Sequence, residues 1–239
     1  MKLPSKIMCV CMLLLIGTNE MYSQRVSSYH DREFAFIHNN INSLAYSDLT
    51  NGESLESVIS KAEGSQFYDA TFREATISST ENVFKVRYNA FLDEMEILDK
   101  DAVVILDKRH QKHLIAFPEK NLRYKVLREN NEDNTSTLAY FVLLEEDNYL
   151  SLYRKDHKKY VPSRNQRTSD KAEFQNARSR FYVEINNSGT VIPLPRNNKE
   201  FAALFSTKKE KVKAYIKQEN LKVRKENDLL KLIKYINSI

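Results

Sequence analysis

The sequence predicts a mainly β, α+β protein: an antiparallel β meander, sandwich or barrel-like sheet with a short helical C-terminal cap. Three observations carry this expectation. Between residues 67 and 196, short apolar or alternating runs rich in β-branched and aromatic residues recur between Asn, Asp, Glu and Lys clusters, with no helical period between them. From Asn198 onward the apolar spacing changes to three and four residues, the period of an amphipathic helix. Four glycines in 239 residues cannot write the Gly-rich phosphate loop of a nucleotide-binding βαβ fold, which removes the main competing architecture. With 41% hydrophobic residues, including 13 Tyr and 12 Phe, the chain has enough apolar surface for a core, which excludes disorder throughout.

Residues 1–24 read as a secretory signal peptide: Lys2 and Lys6 precede an apolar run of 11 residues from Ile7 to Gly17, followed by a polar exit to Gln24. That run is shorter than the roughly 20 residues a permanent membrane helix needs, so cleavage is expected over anchoring, and no transmembrane anchor is expected elsewhere. Cys9 and Cys11 lie inside or before the apolar run rather than after it, against lipid attachment. Both cysteines leave with the leader, so the mature chain is expected to be free of thiol chemistry and disulfides, in a periplasmic or extracellular location.

Residues 25–66 form a polar N-terminal arm, in which Leu55, Val58, Ile59 and Ala62 recur at helical spacing before Gly64, predicting a short helix over 54–63. The β domain, 67–196, follows. Its expected strands are 67–77, 83–89, 94–98, 102–106, 113–117, 123–127, 137–144, 149–153, 180–185 and 190–194. Asn187-Ser188-Gly189 is hairpin chemistry for the last pair, 130–134 is a polar turn, and 154–171 reads as a basic loop. Residues 197–239 are the helical segment: Asn197 or Asn198 caps it, Asn220 interrupts it, and Leu229, Leu232, Ile233 and Ile236 form a stripe that must be buried.

The stretches Phe67-Tyr68-Asp69-Ala70-Thr71-Phe72-Arg73 and Arg87-Tyr88-Asn89-Ala90-Phe91-Leu92-Asp93-Glu94-Met95-Glu96, with the Lys-rich helical tail, resemble a family of exported β-rich proteins of Bacteroidota-type bacteria. That family carries an RYN-x-(aromatic)-x-D-x-(apolar)-E motif, and the similarity runs from about residue 65 to the end. The resemblance implies a location and an architecture, and no activity.

Strand alternation puts Glu94 and Glu96 on one face beside Asp93, a candidate carboxylate site for a cation or for acid/base hydrolysis of a sugar. The competing reading, which the local pattern favours, is a hairpin: Asn89 and Asp93 shape the turn, Tyr88 and Met95 or Ile97 face the core, and Arg87 pairs with a glutamate across the strands. His110 and His113 form an H-x-x-H pair inside a loop whose Lys108, Arg109 and Lys112 oppose a divalent cation, so neither metal nor cofactor is expected. His30, His38 and His157 add no ligand spacing, and no G-x-S-x-G elbow or H-E-x-x-H is present. Sequons occur at Asn134 and Asn186 and carry little weight in a bacterial setting.

Removing Lys2, Lys6 and Glu20 takes the net charge from +5 to +4, and residues 208–239 alone carry +6. The rest is near −2, so the helical tail is the cationic part. Lys155, Lys158, Lys159, Arg164 and Arg167 of the loop and Lys208, Lys209 and Lys213 of the tail are candidate contacts for an anionic partner. The competing reading is a solvated Lys face opposite a buried stripe. Export argues against nucleic acid. The functional expectation is a non-catalytic binding or structural module of the cell envelope or extracellular space, with an envelope protein or a glycan as partner. Two alternatives stand beside it: a secreted hydrolase of glycans or peptides using carboxylates such as Asp93, Glu94 or Glu96, and a surface adaptor gripping anionic envelope material through the basic tail. Ligand, reaction and oligomeric state stay open.

Overall fold

The computed structural model describes residues 55–239 apart from 79, 81, 110–113, 131–134 and 164–170. The expected leader, the polar arm up to residue 54, His30, His38, His110, His113, Asn134, Arg164 and Arg167 lie outside the described residues. The chain divides into the units Met1–Val58 and Ile59–Ile239, and the boundary falls within helix α1 (Leu55–Lys61). The second unit carries the fold described below.

The protein is mostly β, with twelve strands among the described residues: β1 (Arg73–Ile77), β2 (Val83–Asn89), β3 (Glu94–Asp99), β4 (Ala102–Ile105), β5 (Leu114–Phe117), β6 (Leu122–Asn130), β7 (Ser136–Glu145), β8 (Leu150–Lys155), β9 (Lys158–Val161), β10 (Glu173–Asn176), β11 (Arg180–Ile185) and β12 (Thr190–Pro193). Ten of them form one sheet in the order β12-β11-β8-β7-β6-β5-β1-β2-β3-β4. A further parallel pairing, Thr190 with Arg128 and Val191 with Glu129, joins β12 back to β6 and closes β6, β7, β8, β11 and β12 into a five-stranded barrel. Strand β6 makes this possible by changing partner along one edge. Its residues 122–125 pair with β5, and its far end pairs with β12. An open antiparallel meander thus grows from the wall of a closed barrel.

Alternation then divides the buried side chains of β6 between two cores. Tyr124 and Val126 join Ala75, Ile77, Val86, Tyr88, Met95 and Ile115 beneath the meander, whereas Leu127 packs with Ala139, Phe141, Leu143, Tyr153, Tyr182 and Val191 inside the barrel. The barrel interior also holds charge. Glu184, 1% exposed, accepts hydrogen bonds from the Tyr153 hydroxyl at 2.6 Å, the Gly189 amide at 2.7 Å and Lys125 Nζ at 3.3 Å. Glu129 accepts from the Tyr182 hydroxyl at 2.7 Å and Lys155 Nζ at 2.5 Å. Each carboxylate therefore links β6, β8 and β11 across the lumen.

The tail forms α2 (Asn198–Ala203), α3 (Lys209–Gln218) and α4 (Glu226–Ser238). Asn197 caps α2 by accepting from the Glu200 amide at 2.8 Å, and Asn220 turns left-handed at φ 51° to break the chain after α3. The expected stripe, Leu229, Leu232, Ile233 and Ile236, is fully buried against Leu150, Leu152 and Val183 on the outer face of β8 and β11. Among the described residues no helix is long and apolar enough to cross a membrane.

Two expectations about elements need correction. Residues 67–72 are not strand, because the Asp69 side chain accepts from the Thr71 amide at 3.0 Å and turns the backbone, so β1 begins at Arg73. The segment read as one basic loop contains β9 and leads into β10, a two-stranded sheet pinned by Phe91, Tyr160 and Phe174, whose rings meet at centroid distances of 5.1 to 6.5 Å. Gly64 lies against this sheet at φ 81°, and a Cβ there would sit 3.0 Å from the Phe174 carbonyl oxygen, so only glycine fits.

Candidate functional site

The Arg87 to Glu96 motif is a hairpin in which Arg87 faces Glu96, Tyr88 faces Met95 and Asn89 faces Glu94. Asn89 Oδ1 accepts from the Phe91 and Leu92 amides at 3.2 and 3.1 Å, and Asp93 closes the turn at φ 57°, so both residues shape it as expected. One face, with Val86, Tyr88 and Met95, enters the core. The other carries Arg87, Asn89, Glu94 and Glu96.

On that second face the candidate carboxylates take separate environments. Glu96 forms a two-pronged pair with Arg87, at 2.7 Å from Nε and 2.6 Å from Nη2, while its other oxygen accepts from Asn89 Nδ2 at 2.9 Å. Arg87 in turn lies over the rings of Phe67 and Phe72, 4.1 and 4.3 Å from their centroids. Asp93 accepts from the Tyr88 hydroxyl at 2.7 Å, from Lys108 Nζ at 2.9 Å and from the Tyr140 amide at 3.2 Å. That amide lies beyond the end of the β7–β8 ladder, so Asp93 supplies the acceptor a strand would have given. Glu94 is 8% exposed and its Oε2 has no hydrogen-bond partner. Burial pushes its carboxyl up from 4.5 to about 7, with Lys108 pulling the other way and Glu96 and Asp93 adding to the rise.

Glu94 should therefore leave a mark on stability against pH. Its folded value is raised, so the stabilisation is complete below about pH 4.5 and is lost as pH rises through 7, a change of about 3 kcal/mol. His157, lowered mainly by its own burial, acts in the opposite sense, losing stability as pH falls below its ordinary value. Subtracting the urea-melt profile of Glu94→Gln from that of the native chain isolates the glutamate. The expected difference curve falls between pH 4.5 and 7.5, and a flat one would refute the assignment.

Beside the hairpin opens a pocket of about 300 Å³. The buried rings of Tyr88, Tyr124 and Phe117 and the half-exposed ring of Tyr68 line it, with Asp69, Arg73 and Lys120 as polar groups. Tyr88 and Tyr124 stand 5.1 Å apart, and Tyr124 meets Phe117 edge-on at 5.9 Å. The Tyr68 hydroxyl donates to the His157 carbonyl at 3.0 Å, which fixes the outer ring, and Lys158 Nζ lies 4.9 Å from its centroid. Asp69 is held below the usual carboxylate range by the Thr71 amide first and by Arg73, to which it is bonded at 3.2 Å. Burial raises Tyr88 and Tyr124 well above the ordinary phenol value, so both stay protonated donors. The Tyr124 hydroxyl has no protein partner among the described residues.

The structure does not bring Asp93, Glu94 and Glu96 to this pocket; Asp69 is the one carboxylate among its described lining residues. Nor does it gather the basic candidates. Lys155 turns into the barrel towards Glu129, Lys208 donates to the Ile236 carbonyl at 3.1 Å with its ammonium over Tyr149, and Lys213 pairs with Glu210 at 2.8 Å. Lys158 covers Tyr68, Lys159 is exposed and Lys209 half-buried. Among the described residues no three His, Cys, Asp or Glu are placed to hold a metal. The sequence reading missed Tyr68, Tyr124 and Lys120 because they come from separate segments. The signal available was the density of aromatics alternating with charges in 67–73 and 117–124. No family model, curated protein or solved structure matches the chain.

Proposed function

We propose that the chain is an exported, non-catalytic binding module that holds a glycan in the tyrosine-lined pocket. The observation that carries this reading is the unpartnered Tyr124 hydroxyl, a donor set among aromatic faces in a concave site. Sugar rings present apolar C–H faces to aromatic side chains and hydroxyls to polar ones, and Asp69, Arg73 and Lys120 supply the latter. Hydrolysis needs two carboxyl groups facing one space, at about 5–9.5 Å from each other, and Asp93 and Glu96 instead spend their oxygens on the hairpin. The leader-like segment and the resemblance to exported proteins support the location.

Titration calorimetry against neutral oligosaccharides, cello-, malto- and chito-series, tests the binding. At least one series is expected to bind, with Tyr124→Phe weakening it about 3- to 10-fold and Tyr68→Ala about 10-fold at unchanged melting temperature. Affinity indifferent to both changes, or none at all, would overturn the pocket, and cleavage of the bound oligosaccharide would reinstate the hydrolase. Recovery of the chain from the cytoplasm with residues 1–24 intact would overturn the export.

A further inference from the structure

A second concavity, sharing no lining residue with the first, lies where the start of β11, the end of β12 and the α3–α4 connection meet. It measures about 250 Å³ and is lined by Arg178, Arg180, Arg196 and Arg224. Phe181, Leu194, Pro195 and Val223 form its apolar wall. The four arginines come from three chain segments, so the fold, not a local charge run, assembles them.

Arg178, Arg196 and Arg224 have no acidic partner among the described residues, while Arg180 reaches the Tyr182 hydroxyl that donates to Glu129. Arg154 nearby in sequence to none of them is neutralised by Asp156 at 2.9 Å and Glu226 at 2.7 Å, whereas none of the four forms an ion pair among the described residues. The acidic groups of the adjoining helix start are already used: Glu226 by Arg154, and Asp228 by the Lys222 amide at 2.9 Å. Arg224 is also fixed, donating from Nε to the Arg196 carbonyl at 3.0 Å, while Arg180 leans towards the Tyr182 hydroxyl. A cleft lined by one sign of charge over an apolar wall concentrates the opposite charge, and guanidinium forks match the paired oxygens of tetrahedral oxyanions.

We propose that this cleft binds the phosphate or sulfate monoester of a sugar-sized ligand, with Arg178, Arg196 and Arg224 on the oxyanion and the ring it is attached to against Phe181, Leu194 and Pro195. The volume is below the ~300–1,000 Å³ of sites for drug-sized molecules, which suits one ester and the ring that carries it. A concave site of that size also favours a single soluble headgroup over a broad membrane surface. The wall explains why a bare ion is not the full ligand: an ion leaves it wet.

The test is titration of the full chain with glucose 6-phosphate and N-acetylglucosamine 6-sulfate at low salt, with glucose and inorganic phosphate as comparisons. One or both esters are expected to bind, more tightly than inorganic phosphate by about tenfold, and any binding of glucose to be indifferent to the arginines; added salt weakens the ester binding. The Arg196→Ala/Arg224→Ala double variant is expected to lose about 100-fold in affinity at unchanged melting temperature, since both side chains are exposed, and Lys213→Ala/Lys217→Ala to lose nothing. Absence of ester binding up to about 10 mM, equal affinity for inorganic phosphate, or indifference to the arginine variant each overturns the proposal. Retention on phosphatidylglycerol vesicles that is lost in the arginine variant, with no affinity for either soluble ester, overturns it in favour of a membrane. Because the tyrosine pocket contributes nothing here, Tyr124→Phe is expected to leave ester binding unchanged, so this proposal and the glycan reading fail separately.

Discussion

Replacing Glu184 by Ala is expected to destabilise the protein by about 3–5 kcal/mol, with a fall in Tm on the order of 10 °C. Glu184 is 1% exposed inside the barrel, and its loss removes the acceptor of three donors: the Tyr153 hydroxyl, the Gly189 amide and the Lys125 ammonium, of which only the last has a second contact, to the Tyr153 oxygen at 3.4 Å. The Tyr153 hydroxyl lies where water has no access, so its desolvation stays uncompensated, and the part-buried Gly189 amide and Lys125 ammonium each lose a charged acceptor. Glu184→Gln keeps one acceptor oxygen, for the Gly189 amide, while its NH2 can only donate to the Tyr153 hydroxyl, and it loses the attraction to Lys125, which is 26% exposed and can turn to solvent. Its expected cost is about 1–2 kcal/mol. Urea melts of both variants check this ordering. A loss under about 1 kcal/mol for the alanine variant would mean that the lumen tolerates these groups unpaired, and the network would have to be regarded as incidental to stability.

Asp93→Ala is the second large effect, expected at about 3–4 kcal/mol. Three terms act in the same direction: the buried Tyr88 hydroxyl loses its short bond, the Tyr140 amide loses the acceptor that replaces a strand, and alanine must hold φ 57°. Lys108 adds less, being able to reach water, and the Tyr88 hydroxyl keeps a long contact of 3.3 Å to the Asp156 carbonyl. Asn tolerates the left-handed backbone and still accepts from Tyr88 and Tyr140, so Asp93→Asn is expected to cost about 1–2 kcal/mol. Equal losses for the two variants would show that the charge on Lys108, rather than acceptor and backbone geometry, governs this turn. Hydrogen exchange offers a second check: the Tyr140 amide should lose protection in Asp93→Ala before its β6 neighbours do.

The pairings legible in the sequence were those whose partners are close along the chain. Arg87 opposite Glu96, the turn made by Asn89 and Asp93, the Asn187 to Gly189 hairpin and the stripe from Leu229 to Ile236 all follow from a period and a few side-chain geometries. Pairings at a distance left no comparable trace. Strand β5 returns to the free edge of β1 instead of continuing from β4, and β12 returns to β6. Neither is encoded by a neighbouring turn. The β9–β10 sheet escaped because the adjacent Lys158 and Lys159 read as a solvated loop, and only the contact of Phe91 with Phe174 and Tyr160 shows why it orders.

The lumen marks the boundary most clearly. In the sequence, Lys125, Glu129, Lys155 and Glu184 are the polar alternates of half-buried strands, residues any open sheet turns to water. By itself the sequence determined that the protein is a β-rich body with a helical cover, because periodicity of two and of 3.6 is a property of each segment alone. Only the tertiary structure decided that β6 has a core on each of its faces: closure by β12 converts the polar face into a barrel lining, where Lys125 and Glu129 find partners. The same holds for the two pockets. Tyr68 and Tyr124, or Arg180, Arg196 and Arg224, become neighbours through long-range pairing and helix docking, which depend on the chain as a whole.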